Sequence, residues 1–441
     1  MTTAESADST TAPISLLRHK QFALYWLTRV LSTGGYQIIS VAIDWQIYQL
    51  TESPLLVGLT GLILFIPVIA GTFIIGHVAD HYDRRSVIRI CQIGKAAGAA
   101  LLLIAGYTGY LNVTVIYFVV FLVGTCRAFE GPTLHTIPPS IMPQEVLSRA
   151  IAAGTTAQQM AQIGGPFLGG LLLAAGTNTV YYFCLAAFLI AAGCITLVKI
   201  QRPARVKKTI TLESALAGFT YIKSRPIILG AISLDLAAVM LGGVAALLPF
   251  FAEDILKAGP LGFGFLRGSP AIGALMMGFF LANMQINKHA GRIMVGAVAI
   301  YGLATAGFGL IGVLIVNGVA PDVGFTVFPN LPFWKGFSIW LWLSIVMLAI
   351  TGAADSISVV VRHSLVQTRT PNDMLGRVMA VNSTFTGTTS NLGRFESGLV
   401  AALIGVGPAV LVGGIGAAAV AIFWIKLFPD FWRVQSVIPE K

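Results

Sequence analysis

Most of this chain is apolar, yet ionisable residues interrupt the apolar stretches at Arg29, Asp44, Lys95, Arg127, Glu130, Asp235, Arg267, Asp355, Arg394 and Glu396. A charge in the middle of a bilayer costs several kcal/mol, so such residues are kept where they act. The chemistry open to them is proton exchange. Burial disfavours a charged carboxylate and a neighbouring arginine favours it, so a carboxylate whose arginine partner moves can bind and release a proton. Asp44, Glu130, Asp235, Asp355 and Glu396 are the carboxylates suited to that role. Arg29 and Arg127 are candidate cation partners. Arg127 and Glu130 are three residues apart, close enough on one helix to pair; the alternative is a static ion pair near the headgroups. Asp235 and Asp355 each lie about two turns inside a span, and either can pair with Arg29. Asp44 lies near the outer end of its span, where a solvated rim position is the alternative. Lys95 and Arg267 can snorkel toward water.

These residues need membrane-spanning helices to hold them. The 441 residues are 56% hydrophobic and only 10% charged, against about 25% charged in a soluble domain. Runs of about 20 apolar residues suffice for a span. Such runs fall at 22–49, 55–78, 86–108, 112–137, 148–175, 178–199, 227–252, 262–284, 292–316, 336–362, 377–402 and 406–428. The expected fold is all-α and integral to the membrane, with twelve spans in two pseudo-symmetric six-helix halves. The expected layout is a tail at 1–21, a first half at 22–199, a linker at 200–226, a second half at 227–428 and a tail at 429–441. Within the linker, Leu212–Ile222 has the pattern of a surface amphipathic helix.

The net charge of +10 is not a nucleic-acid signature, because Lys and Arg gather in alternate loops. That asymmetry places both termini in the cytoplasm. The four cysteines, Cys91, Cys126, Cys184 and Cys194, sit inside apolar runs and have neither disulfide nor zinc spacing. No cofactor or metal is expected. The partners expected are a small-molecule substrate, protons and membrane lipids, for a chain acting as a monomer.

The two halves share a repeat. Pro143 begins PQEVLSRAIA and Pro371 begins PNDMLGRVMA. At one fixed offset Leu147, Arg149, Gly165 and Gly170 meet Leu375, Arg377, Gly393 and Gly398, Glu145 meets Asp373, and His135 meets His363. Paired halves rocking about a central site are the architecture of alternating access.

The loop after the second span reads Gly76-His-Val-Ala-Asp80-His-Tyr-Asp-Arg84-Arg85. It resembles the major facilitator signature between helices two and three. Gly165-Pro166-Phe167-Leu168-Gly169-Gly170 resembles the helix-five signature of the antiporters in that superfamily. The stretch Ser364 to Arg377, with Arg29 in the first helix, is similar to the enterobactin-exporter group, and the resemblance covers nearly the whole chain. His81, Asp83 and Asp44 depart from the superfamily's common residues.

The resemblance implies a transporter that exports siderophores or drug-like amphiphiles by proton antiport from a bacterial cytoplasmic membrane. It implies a cytoplasmic latch of Gly76, Asp80, Arg84 and Arg85 against Gly376 and Arg377, the anion Asp80 meeting a helix N-terminus. It implies that helices one, four, seven and ten line the cavity. Small residues at Gly165, Gly169 and Gly170 permit close helix approach, and Pro166 permits a bend. Arg394 and Glu396 point about 200° apart on a helix, so at most one meets the cavity; Arg394 suits packing or gating. Tyr36, Trp45 and Phe250 are candidate pocket aromatics. The alternatives are a lipid or lysophospholipid flippase, a small-solute importer, or a non-transporting receptor or scaffold. No nucleotide loop or catalytic constellation marks an enzyme.

Overall fold

The computed structural model describes residues 16–200, 212–283, 289–319 and 338–436. The expected tail up to residue 15, most of the linker, the core of the loop at 320–337 and the last five residues lie outside the described residues.

Apolar runs of the expected length became helices, most of them two to four residues longer than their hydrophobic cores. The first six are α1 (Lys20–Thr51), α2 (Pro54–His81), α3 (Arg84–Thr108), α4 (Val113–His135), α5 (Gln144–Ala174) and α6 (Thr177–Leu197). The next six are α7 (Pro226–Leu241), α8 (Gly259–Asn283), α9 (Ala290–Val316), α10 (Ile339–Arg369), α11 (Asn372–Ile404) and α12 (Val406–Leu427). Polar side chains mark the starts: Asp83 accepts the Arg85 N–H, Asn112 the Val115 N–H and Ser338 the Leu341 N–H, which satisfies donors the first turn leaves free. The repeat appears as geometry at α5 and α11, which start immediately after Pro143 and Pro371 in nearly the same extended backbone conformation.

α1 packs on α5 and α6, and α3 on α4 and α6; α9 packs on α10 and α12, and α8 on α10. The result is two six-helix bundles. They meet through α2 against α11 and α5 against α8. The described residues begin and end at one end of the bundle, where Lys199 N–H donates to Gln21 and Ala290 N–H to the Gln435 carbonyl. This is the near end below; the opposite one is the far end.

Among the described residues, seven helices carry the long, nearly uncharged apolar window of a simple membrane span: α3, α4, α6, α8, α9, α10 and α12. The polar exceptions include α1, α5 and α11, which supply much of the contact between and within the bundles. A helix covered by protein does not need a uniformly apolar surface.

The seventh span differs from its expected form. α7 stops at Leu241, and the chain resumes as Leu248–Phe250 and a π turn at Phe251–Ile255. The break is tolerated because its carbonyls are met: Tyr301 Oη donates to Gly242 O at 3.1 Å and Arg267 Nη1 to Ala245 O at 2.8 Å. The expected amphipathic helix is present as Leu212–Ser224, bent by 103° from α7. It lies against α11, with Phe219 stacked on Phe385 and Gly218 against the Arg377 backbone.

Two glycine crossings close the far end. A Cβ built on Gly170 of α5 would lie 2.6 Å from Gly264 Cα of α8, and one on Gly398 of α11 would lie 2.8 Å from Gly58 Cα of α2. Gly170 and Gly398 are repeat mates, so the same device is used on both sides of the pseudo-symmetry axis. Backbones at this distance gain dispersion contacts that a larger residue would block. Tyr48 adds a polar tie, donating to Asp254 at 2.6 Å across the halves.

Candidate functional site

Between the halves lies a cavity of about 720 Å³, reaching from Arg394 and Arg267 toward the near end as far as Pro132 and Arg362. α1, α4, α7 and α10 line it, as the resemblance implies, joined by residues of α2, α8, α9 and α11.

At its far end Asp44 of α1 is buried, with Arg394 Nη2 2.6 Å from Oδ1 and Arg267 Nη2 3.4 Å from Oδ2. Arg394 also donates to Thr60 of α2. Asp44 and Thr60 belong to the first half, and both arginines to the second. Asp44 is therefore not a solvated rim residue, and Arg267 does not snorkel. Of the two candidates on α11, Arg394 meets the cavity; Glu396 is half-buried and does not line it.

Glu130 belongs to a different cluster. Lys95 lies 2.5 Å from Glu130 Oε2 and donates to Ser32, which in turn donates to Oε1; Gln92 donates to Oε1 as well. All four side chains are buried. They tie α1, α3 and α4 together inside the first half, away from the cavity lining. The expected Arg127–Glu130 pair does not form, because the two side chains leave α4 in different directions. Arg127 instead lies 3.8 Å over the Tyr36 ring and faces the cavity.

Asp235 of α7 accepts from Ser358 at 2.7 Å and pairs with Arg362 at 3.3 Å, both on α10. Arg362 continues to Asn382 and Thr386 of α11, at 2.8 Å each. Arg29 pairs with neither Asp235 nor Asp355; it donates to Tyr25 and to Gln158 of α5. Thr386 and Gln158 are mates in the repeat, so each half has a buried arginine holding its fifth helix at the same level. Asp355 lines the cavity next to Asp235 and Arg362. It has no hydrogen bond or ion pair among the described residues.

Sequence reasoning passed over Arg362. It is the last residue of the expected tenth span, 336–362, and is absent from the charges placed in the membrane, whereas α10 runs on to Arg369 and leaves Arg362 about two turns inside. Of the candidate pocket aromatics, Tyr36 lines the cavity. Trp45 is buried and stacked on Phe263 at 5.6 Å, and Phe250 meets Tyr48 edge-on at 4.8 Å; both help to fill the far end.

The helix-five motif divides its glycines between two neighbours. Gly165 and Gly169 press on Gln37, Ile38 and Val41 of α1, while Gly170 meets α8. Around the implied latch, Arg84 donates to Thr136 O and Ser140, and Arg85 pairs with Asp83 and donates to Val198 O. These bonds stay within the first half. Gly376 and Arg377 are exposed. Gly76 and Asp80 lie on α2, and their surroundings fall outside the described residues.

Two bundles around a central, charged cavity are the architecture of a transporter of the major facilitator type. The family model described as "Transmembrane secretion effector" matches residues 9–320, and the chain belongs to that family. Curated relatives include the enterobactin exporter EntS of Shigella boydii serotype 4 (strain Sb227) and of Escherichia coli O139:H28 (strain E24377A / ETEC). Each is 24% identical over 434 residues, covering 97% of this chain and 96% of the relative. Similar solved folds include a mutant form of the nucleoside transporter NupG, with TM-score 0.69, 14% identity and coverage of 92% of this chain and 100% of that one. A bacterial homologue of the iron transporter ferroportin in an inward-facing state has TM-score 0.67, 17% identity and coverage of 93% and 99%.

Proposed function

We propose that this transporter exports a small amphiphilic molecule, siderophore-like or drug-like, in exchange for protons by alternating access. The membrane is the bacterial cytoplasmic membrane, with both termini and the near end in the cytoplasm. The linker region 200–226 joins the two moving halves, 22–199 and 227–428, and the chain works as a monomer among lipids.

Asp355 carries this reading. Asp44, Glu130 and Asp235 are each held by a cation within 3.4 Å, and Glu396 lies off the cavity. Asp355 alone among the five faces the cavity with neither a cation nor a donor bonded to it among the described residues. Its two charged neighbours, Asp235 and Arg362, act on it with opposite signs. Rocking of the first half against the second changes what faces Asp355 across the cavity, and with it the balance of charge and solvation that sets its proton affinity. The glycine crossings at the far end and the cavity toward the near end correspond to a cytoplasm-facing state ready to take cargo.

Purified protein in vesicles, given an imposed pH gradient, tests the proposal. Efflux of an amphiphilic dye should follow the gradient in the wild type and lose that dependence in Asp355→Asn. Gradient-dependent transport by Asp355→Asn at the wild-type rate would remove Asp355 from the mechanism. Transport indifferent to the gradient in the wild type would remove proton coupling altogether.

A further inference from the structure

We propose that the far end of the cavity recognises an anionic group on the cargo, and that this anion competes with Asp44 for its arginine partners. The inference rests on the transporter reading above and names the chemistry of its cargo.

Arg127 of α4, Arg267 of α8 and Arg394 of α11 all line this region, and the carboxylate there, Asp44, is paired with the latter two. Three guanidinium groups against one carboxylate leave a positive excess. The acidic group of Asp235 and Asp355, with Arg362, belongs to α7 and α10 of the second half, nearer the middle of the cavity. The cavity is therefore positive at its far end and acidic beside α7 and α10.

Two observations point to a ligand at the positive pole. Arg127 is exposed to the cavity, and its planar face rests on Tyr36. A guanidinium stacked in this way still presents its N–H edge, in a fork that matches a carboxylate or sulfonate. No carboxylate pairs with it among the described residues. Arg394 is 9% exposed, and its Nε is buried with no acceptor among the described residues. The hydrogen-bonding groups of Gln37, Ser40 and Asn391 stand beside apolar Leu64 and Val68. That mixture and the cavity's size suit an organic anion better than a small inorganic one.

The placement gives a consequence for transport. Asp44 bridges the halves through Arg267 and Arg394. An anion that takes N–H groups from either arginine weakens that bridge, so cargo binding itself loosens the closed far end.

The cavity charge can be read without knowing the cargo. In a full-length chain whose four cysteines are replaced by alanine, Ser40→Cys should react faster with the anionic ethylsulfonate methanethiosulfonate than with the cationic trimethylammonium reagent. After normalising to a free thiol, the preference expected is about ten-fold or more, and adding Arg127→Gln should reduce it. Equal or cation-favouring rates would overturn the proposal. In parallel, naphthalene-2-sulfonate should raise the melting temperature of the purified native chain while naphthalene-2-sulfonamide does not, and Arg127→Gln should lose the difference. Equal effects of the two compounds would also overturn it. Vesicles separate the two levels of inference. Gradient-driven movement of both compounds without preference would sink the anion site and keep the transporter reading. A labelling preference with no movement of either would do the reverse.

Discussion

Arg394 of α11 reaches across the molecule to Asp44 of α1, 350 positions earlier, and holds it at 2.6 Å where the cavity ends. With Arg267 on the other carboxylate oxygen, this is a buried ionic tie between two halves that must separate if access is to alternate. A buried pair stabilises one arrangement only while both partners are present, and removing one leaves an uncompensated charge costing about 3–5 kcal/mol.

Breaking this tie should shift the conformational balance. In Asp44→Asn, two buried arginines lose their carboxylate, and the expected outcome is a lower melting temperature together with greater reactivity of a cysteine placed at Thr60. The exchanged pair, Asp44→Arg with Arg394→Asp, should recover part of both. Unchanged reactivity in Asp44→Asn would mean that the tie does not hold the far end shut.

The glycine crossings make a steric counterpart. Gly398→Val and Gly170→Val place atoms where a Cβ alone already comes within 2.6–2.8 Å of a facing Cα. Each should wedge the far end open and cut transport at least ten-fold while the protein still inserts. A spin-label pair across α2 and α11 should report the longer distance.

Lys95 and Glu130 should behave as a brace within one half. Lys95→Met strands Glu130 and Glu130→Gln strands Lys95, each destabilising by about 3–5 kcal/mol, whereas Lys95→Met with Glu130→Leu should be much closer to wild type. Thermal unfolding in detergent measures this. If the double variant is stable but no longer couples transport to the pH gradient, Glu130 carries protons after all.

Arg362 connects α7, α10 and α11 through Asp235, Asn382 and Thr386. Arg362→Gln keeps some hydrogen bonds and removes the charge that opposes protonation of Asp355. The pH midpoint of transport should rise, since Asp355 then holds its proton to higher pH. Arg362→Lys should leave the midpoint near that of wild type. A shift in the opposite direction would contradict the assignment of Asp355.

Run lengths of apolar residues were enough to locate the helices, because a span must satisfy its own backbone and present about 20 apolar residues to lipid. The offset joining Pro143 to Pro371 likewise foretold the matched starts of α5 and α11, and Gly170 stood in a run of small residues whose close packing was expected, while the packing of its mate Gly398 on Gly58 appeared only in the structure. Pairing was another matter. Arg127 and Glu130 are neighbours on one helix and do not meet, while Asp44 and Arg394 lie far apart in the chain and do. Lys95 and Arg267 looked like charges seeking water and, with the unremarked Arg362, proved to be cations of buried clusters. A sequence determines the length and polarity of each helix locally. How far each helix is rotated about its axis, and so which side chain faces which, is decided by its packing against the others. Only the tertiary structure supplies that rotation, and it singled out Asp355 and Arg127.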